Sequence, residues 1–176
     1  MRAVIDTNVL RVASGQHSDV SFDCVSACVQ HLREMQLSGV VVIDDGYKIL
    51  AEYLKNPSLM KTNEVGGQFL KWLLQNQGNA DRIEQVRLTE TVEHCFDEFP
   101  DKALEPHFDG PDRKFVAVAN AHAEKPPVWQ AADCKWLDWW PRLRTSGVEV
   151  KFLCPDDACG FYRKKFPAKP HPELPE

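Results

Sequence analysis

The sequence predicts an α/β protein: three α/β/α layers around a central, mainly parallel sheet of about four to five strands. Three observations carry that expectation. Short apolar runs rich in β-branched residues recur along the chain, and each is separated from the next by a stretch with helical spacing. The runs are apolar without alternation, as strands covered on both faces are. At 176 residues, a single domain accounts for the chain on the rule of roughly 150 residues each.

Taken in order, Ala3 to Ile5 is the first strand, and a helix carrying Cys24, Cys28, Leu32 and Met35 on one face leads to the second, Val40 to Ile43. Tyr47, Leu50, Ala51 and Leu54 mark the next helix, and Phe69, Leu70, Leu73 and Leu74 the one after it. Ile83 to Leu88 is a fifth strand candidate. Gly110 and Pro111 resemble an N-cap and first helical residue, with Asp112 in the first turn, opening a helix through Phe115, Val116 and Ala119 to about Ala123. Pro126 and Pro127 stop it before the strand Val128 to Ala132. Ser146 and Gly147 close a further helix before the strand Val148 to Leu153. The expected domain is therefore 1–153. From 154 onward, with five of the 12 prolines and the basic run Arg163 to Lys165, the chain reads as an extended Pro-rich tail to 176, weakly packed or reserved for a partner.

Composition narrows the function classes. With 43% hydrophobic and 27% charged residues, wholesale disorder and fibrous structure are excluded. The apolar runs are too short to span a bilayer, and the first residues lack the pattern of a secretory signal, so no membrane association and a cytoplasmic location are expected. A net charge of -5 argues against coating nucleic acid with a globally basic surface. Six cysteines in such a chain read as reduced core thiols rather than a disulfide framework. Cys24 with Cys28, and Cys154 with Cys159, lack tight Cys-x-x-Cys spacing and an adjacent His, so packing rather than zinc binding is their expected role.

The acidic residues carry the chemistry. Asp6 follows the first strand, Asp44 and Asp45 the second, and Asp133 the run ending at Ala132. In an open parallel sheet, the carboxyl ends of the strands form the edge where ligands collect. Carboxylates crowded there need a compensating cation, and hard oxygen donors select Mg²⁺ or Mn²⁺. Taken singly, each Asp also suits an N-cap or turn; Asp45 is read as the cap of the helix near Gly46, and Asp44 as either.

The ordered set of motifs resembles the PIN-domain nucleases. Val4-Ile5-Asp6-Thr7-Asn8-Val9-Leu10 is similar to that family's opening strand and turn. Glu52 matches its helical Glu after the second strand. Asp112 with Phe115, Val116 and Ala119 matches its third acid, and Asp133 stands at its fourth. Ala131 and Lys135 depart from the Thr and Asp often found beside that fourth acid. The resemblance, over about Arg2 to Leu153, implies a Mg²⁺- or Mn²⁺-dependent endoribonuclease. Asp6, Asp112 and Asp133 would be metal ligands, and Glu52 a ligand or a base acting through water. Asn8 and Thr7 would orient water or phosphate. Because small members are often toxins of toxin–antitoxin pairs, the resemblance also brings in an antitoxin as a candidate partner; the Pro-rich tail from Pro167 to Glu176 and the length beyond a minimal domain are candidate elements for docking or a homodimer.

Arg11, Arg113 and Lys135 lie near this set in sequence and are candidate phosphate contacts, as is Lys114; ordinary solvated surface is the plain alternative. Trp136, Trp139 and Trp140 fall at helical spacing and are expected to pack. Three other functions fit parts of the sequence. They are a structure-specific DNA nuclease, a binding module that keeps the fold without turnover, and a phosphoacceptor domain built on Asp44-Asp45. The last would place its acidic pair after the first strand rather than the second.

Overall fold

The computed structural model describes residues 1–60 and 63–175. It runs β1 (Arg2–Ile5), α1 (Thr7–Ala13), α2 (Phe22–Ser38), β2 (Val40–Asp44), α3 (Lys48–Lys55), α4 (Val65–Asn76) and β3 (Ile83–Val86). A hairpin of β4 (Glu90–Val92) and β5 (Cys95–Phe96) follows, then two 3₁₀ turns. The chain closes with α5 (Arg113–Ala121), β6 (Val128–Gln130), α6 (Trp136–Thr145), β7 (Val150–Phe152) and α7 (Pro155–Lys165).

Five strands form one sheet in the order β3-β2-β1-β6-β7, and every neighbouring pair is parallel. Ala3, Val4, Val41, Val42 and Val128 are fully buried, which is why these strands read as continuous apolar runs. Helices α1, α2 and α4 pack on one another, while α5 lies against β1, β2 and α3, giving the three layers. The strand order reverses at β1: β2 and β3 build outward on one side, β6 and β7 on the other. That switch point places the ends of β1 and β6 next to each other.

Several boundaries differ from expectation. Strand β6 ends at Gln130, so Ala131 and Ala132 form the bend that leads to Asp133. The Ile83 to Leu88 run does make a strand, shortened to Ile83–Val86, at the sheet edge beside β2. The β4–β5 hairpin has no apolar run to announce it; β4 is exposed along its length.

The segment from 154 onward is not an extended tail. Pro155 begins an 11-residue helix with Asp156 and Asp157 in its first turn and Arg163, Lys164 and Lys165 in its last, matching the helix dipole at both ends. Ala158, Cys159 and Tyr162 bury one face of it against the core. Beyond it, Lys169 pairs with Asp138 at 2.6 Å, and the Trp140 indole donates to the Glu173 carbonyl at 3.0 Å. Glu176 lies outside the described residues. Trp136, Trp139 and Trp140 pack as expected, with Phe108 against Trp136 and Trp139.

The cysteines also depart from expectation: Cys24 and Cys154 are joined by a disulfide. Their sequence separation of 130 residues concealed a pair that the α2 and α7 starts bring together. Cys28, Cys134 and Cys159 are buried thiols. No described helix is long and apolar enough to cross a membrane.

Candidate metal centre

At the end of β1, Asp6 takes an extended backbone and caps α1, its carboxylate accepting from the Asn8 N–H at 2.7 Å. The side chain is only 5% exposed. Glu52 reaches the same place from α3, the helix that follows β2. Asp44 starts that helix: it is fully buried and accepts from the Lys48 N–H at 2.7 Å and the Ile49 N–H at 2.9 Å. The cap is thus Asp44 rather than Asp45, and both of its oxygens are committed to the backbone. An exposed phosphoacceptor it is not.

Asp112 closes the 3₁₀ turn Gly110–Asp112 and leads directly into α5. Asp133 follows β6 and accepts from the Lys135 N–H at 3.0 Å. Mutual proximity of the four acids shows in their electrostatics. Burial first, then Asp112, Glu52 and Asp133, push the Asp6 carboxyl well above the usual carboxylate range, against the opposing Asn8 hydrogen bond. Asp112 is pushed up to about 7 by burial, Asp133 and Glu52, with Lys114 pulling the other way. Asp6, Glu52, Asp112 and Asp133 are therefore one electrostatic unit.

Glu52 is held in place by two neighbours. The Thr7 hydroxyl donates to one of its oxygens, and the Lys114 ammonium pairs with the other. Lys114 is 5% exposed, also donates to the Pro111 carbonyl, and lies 4.5 Å from the Phe115 ring centroid. Thr7 therefore positions an acid, and Lys114 is the cation that the structure builds into the cluster. Its signal in the sequence was weak, since a lysine beside an acid in the first turn of a helix usually faces water.

The remaining cations divide. The Arg113 guanidinium is turned away into the preceding loop, donating to the Phe108 carbonyl at 3.0 and 3.1 Å and to Cys95 Sγ at 3.2 Å. It braces the hairpin and is not a free phosphate contact, contrary to expectation. Lys135 pairs with Asp109 at the rim, which raises the Lys135 pKa and gives Asp109 a role as its counter-ion. Arg11 is exposed on α1. Asn8 is half-buried in the first turn of that helix.

Protein-family models, curated proteins and solved structures give no match to this chain. The centre is therefore judged by its own chemistry. Its donors are all carboxylate oxygens, the set that fits Mg²⁺ or Mn²⁺. The four acids do not themselves crowd three donor atoms to within 4.8 Å of one another; among the described residues, Cys24, Cys28 and Cys154 do. Thr7 and Lys114 hold Glu52.

Proposed function

We propose that this chain is a PIN-like, Mg²⁺- or Mn²⁺-dependent endoribonuclease that hydrolyses RNA phosphodiester bonds. The observation that carries the reading is the meeting of Asp6, Glu52, Asp112 and Asp133 at the switch point of a parallel sheet, with two of them raised by burial and by the others. Asp6, Asp112 and Asp133 would hold the ion. When bound, it supplies acidified water and stabilises negative charge on the phosphodiester and its leaving oxygen. Thr7 keeps Glu52 aimed at the cluster, as ligand or as base. Lys135, paired with Asp109, would exchange that carboxylate for a substrate phosphate. Arg11 is a more distant candidate on the exposed face of α1. A toxin role with an antitoxin partner rests on the sequence resemblance alone.

One observation favours a second reading, a binding module without turnover: Lys114 already pairs with Glu52 inside the cluster. A single experiment separates the readings. Labelled structured RNA, with single-stranded DNA in parallel, is incubated with wild type and Asp6→Asn in Mg²⁺, Mn²⁺ and EDTA. We expect metal-dependent RNA cleavage that Asp6→Asn lowers by more than the roughly 10–100-fold that losing an outer partner of a ligand costs. Cleavage of DNA alone selects the DNA-nuclease alternative. Binding without cleavage by folded wild type selects the binding module, and full activity in Asp6→Asn removes Asp6 from the ligand set.

A further inference from the structure

At the opposite side of β1 from α5, three sulfurs converge where the starts of α2 and α7 meet. Cys24 and Cys28 stand four residues apart in α2, one turn above the other, and Cys154 is the N-cap of α7. Their Sγ atoms all lie within 4.8 Å of one another, and Cys28 Sγ is 3.9 Å from Cys154 Sγ. Zinc–thiolate bonds of about 2.3 Å in a tetrahedron place sulfurs roughly 3.8 Å apart. The Cys28–Cys154 spacing already matches.

The surroundings favour a cation. A cavity of about 570 Å³ opens onto Cys24 and Cys154, and Asp23, Asp156 and Asp157 line it against Lys164. Its acidic mouth attracts a divalent ion. Cys28 is buried behind the other two sulfurs and is not part of the cavity lining, so an ion entering from the cavity meets Cys24 and Cys154 first. The starts of two helices meet at the cluster, with Cys24 in the first turn of α2 and Cys154 capping α7.

We propose that, once the Cys24–Cys154 disulfide is reduced, Cys24, Cys28 and Cys154 bind one Zn²⁺ through three thiolates, with the fourth position open to the cavity. A dithiol reductant passes two electrons and two protons to the disulfide and closes to its own disulfide, leaving two thiols. One Zn²⁺ then replaces the three thiol protons, which pass to solvent. Oxidation by a disulfide oxidant reverses the sequence and ejects the ion, so the site is closed in the bridged form.

Co²⁺ serves as the optical probe of the full chain. The chain is reduced with a dithiol, freed of it by gel filtration under anaerobic conditions and titrated with Co²⁺, then Zn²⁺. We expect one Co²⁺ per chain, an intense near-ultraviolet sulfur-to-cobalt charge-transfer band, and its bleaching by one equivalent of Zn²⁺; the oxidised chain gives no band. Cys28→Ser, which keeps the Cys24–Cys154 bridge and so can be checked for folding in its oxidised form, should weaken Zn²⁺ binding more than about tenfold. Cys159→Ser should leave the titration unchanged. No charge-transfer band in the reduced, folded wild type overturns the proposal. So does a band that survives Cys28→Ser intact or disappears in Cys159→Ser.

Discussion

Asp112 and Lys114 sit two residues apart and pull the cluster in opposite directions. The Asp112 carboxyl stands at about 7 in the folded chain, against about 3.9 when unfolded. Because the folded value is the higher one, the folded state holds more protons between the two, and its contribution is present below pH ~4 and lost as pH rises through about 7. Buried His31, held down to about 4 chiefly by desolvation, slopes the other way over part of that window. The informative quantity is therefore the difference between variants. In EDTA, Asp112→Asn should gain thermal stability over wild type as pH goes from 4 to 7, and Mg²⁺ should shrink the gap; parallel Tm profiles would refute the pKa shift. Lys114 makes a second test. Breaking a fully buried ion pair costs about 3–5 kcal/mol, and the partial exposure of Glu52, 28%, lowers the expected loss for Lys114→Met to roughly 1–3 kcal/mol. Urea denaturation checks it, and adding Glu52→Gln should recover most of the loss; strictly additive losses would mean the pair is not coupled. Asp6, Glu52, Asp112 and Asp133 were legible as single letters because acids at strand ends and helix starts follow a pattern. Lys114 and the inward turn of Arg113 were not, since which way a long cationic side chain points is decided by the folded loop and the helices around it, here the Phe108 and Pro111 carbonyls together with Glu52.

At the scale of elements, the site depends on how closely helices approach the sheet and each other. Helix α3 carries Glu52 and starts where Asp44 caps it, so the end of β2 sets the acid's position. On the other layer, α4 meets α1 at Gly66, whose N–H donates to Ser14 Oγ at 3.0 Å. A Cβ on Gly66 would stand 2.4 Å from both the Leu10 carbonyl oxygen and Ser14 Oγ, the former a backbone atom that yields only if α1 moves. Gly66→Ala should therefore destabilise the protein by about 1–3 kcal/mol, read as a lower denaturation midpoint, and, under the proposed function, should weaken cleavage through the displaced α1 that Asp6 caps. A neutral midpoint would show that the two helices separate freely. Buried strands and amphipathic helices were readable because their periodicity is local. The hairpin Glu90–Phe96 and helix α7 escaped, one for lack of an apolar run, the other because its prolines and basic residues resemble a tail until Tyr162 and Cys159 are seen to be buried.

For the molecule as a whole, the disulfide between Cys24 and Cys154 joins the start of α2 to the start of α7 across 130 residues. Closing so long a loop restricts the unfolded chain most, and a bridge of this kind typically contributes about 2–4 kcal/mol. Reduction in the presence of a chelator should lower the unfolding free energy by that amount, read as a lower denaturant midpoint; an unchanged midpoint would mean the bridge does not constrain unfolding. The sequence by itself determined the α/β class, the buried strands and the order of the acids along the chain. Those features follow from residue type and local spacing, which one segment carries without the rest. Tertiary structure alone decided that β6 lies beside β1, bringing Asp133 to Asp6. It also decided that Lys114 faces Glu52 and that three cysteines meet. Each depends on a contact between residues tens of positions or more apart, as Cys154 to Cys24 and Cys28, and such pairings are set by how whole elements pack rather than by the pattern within any one of them.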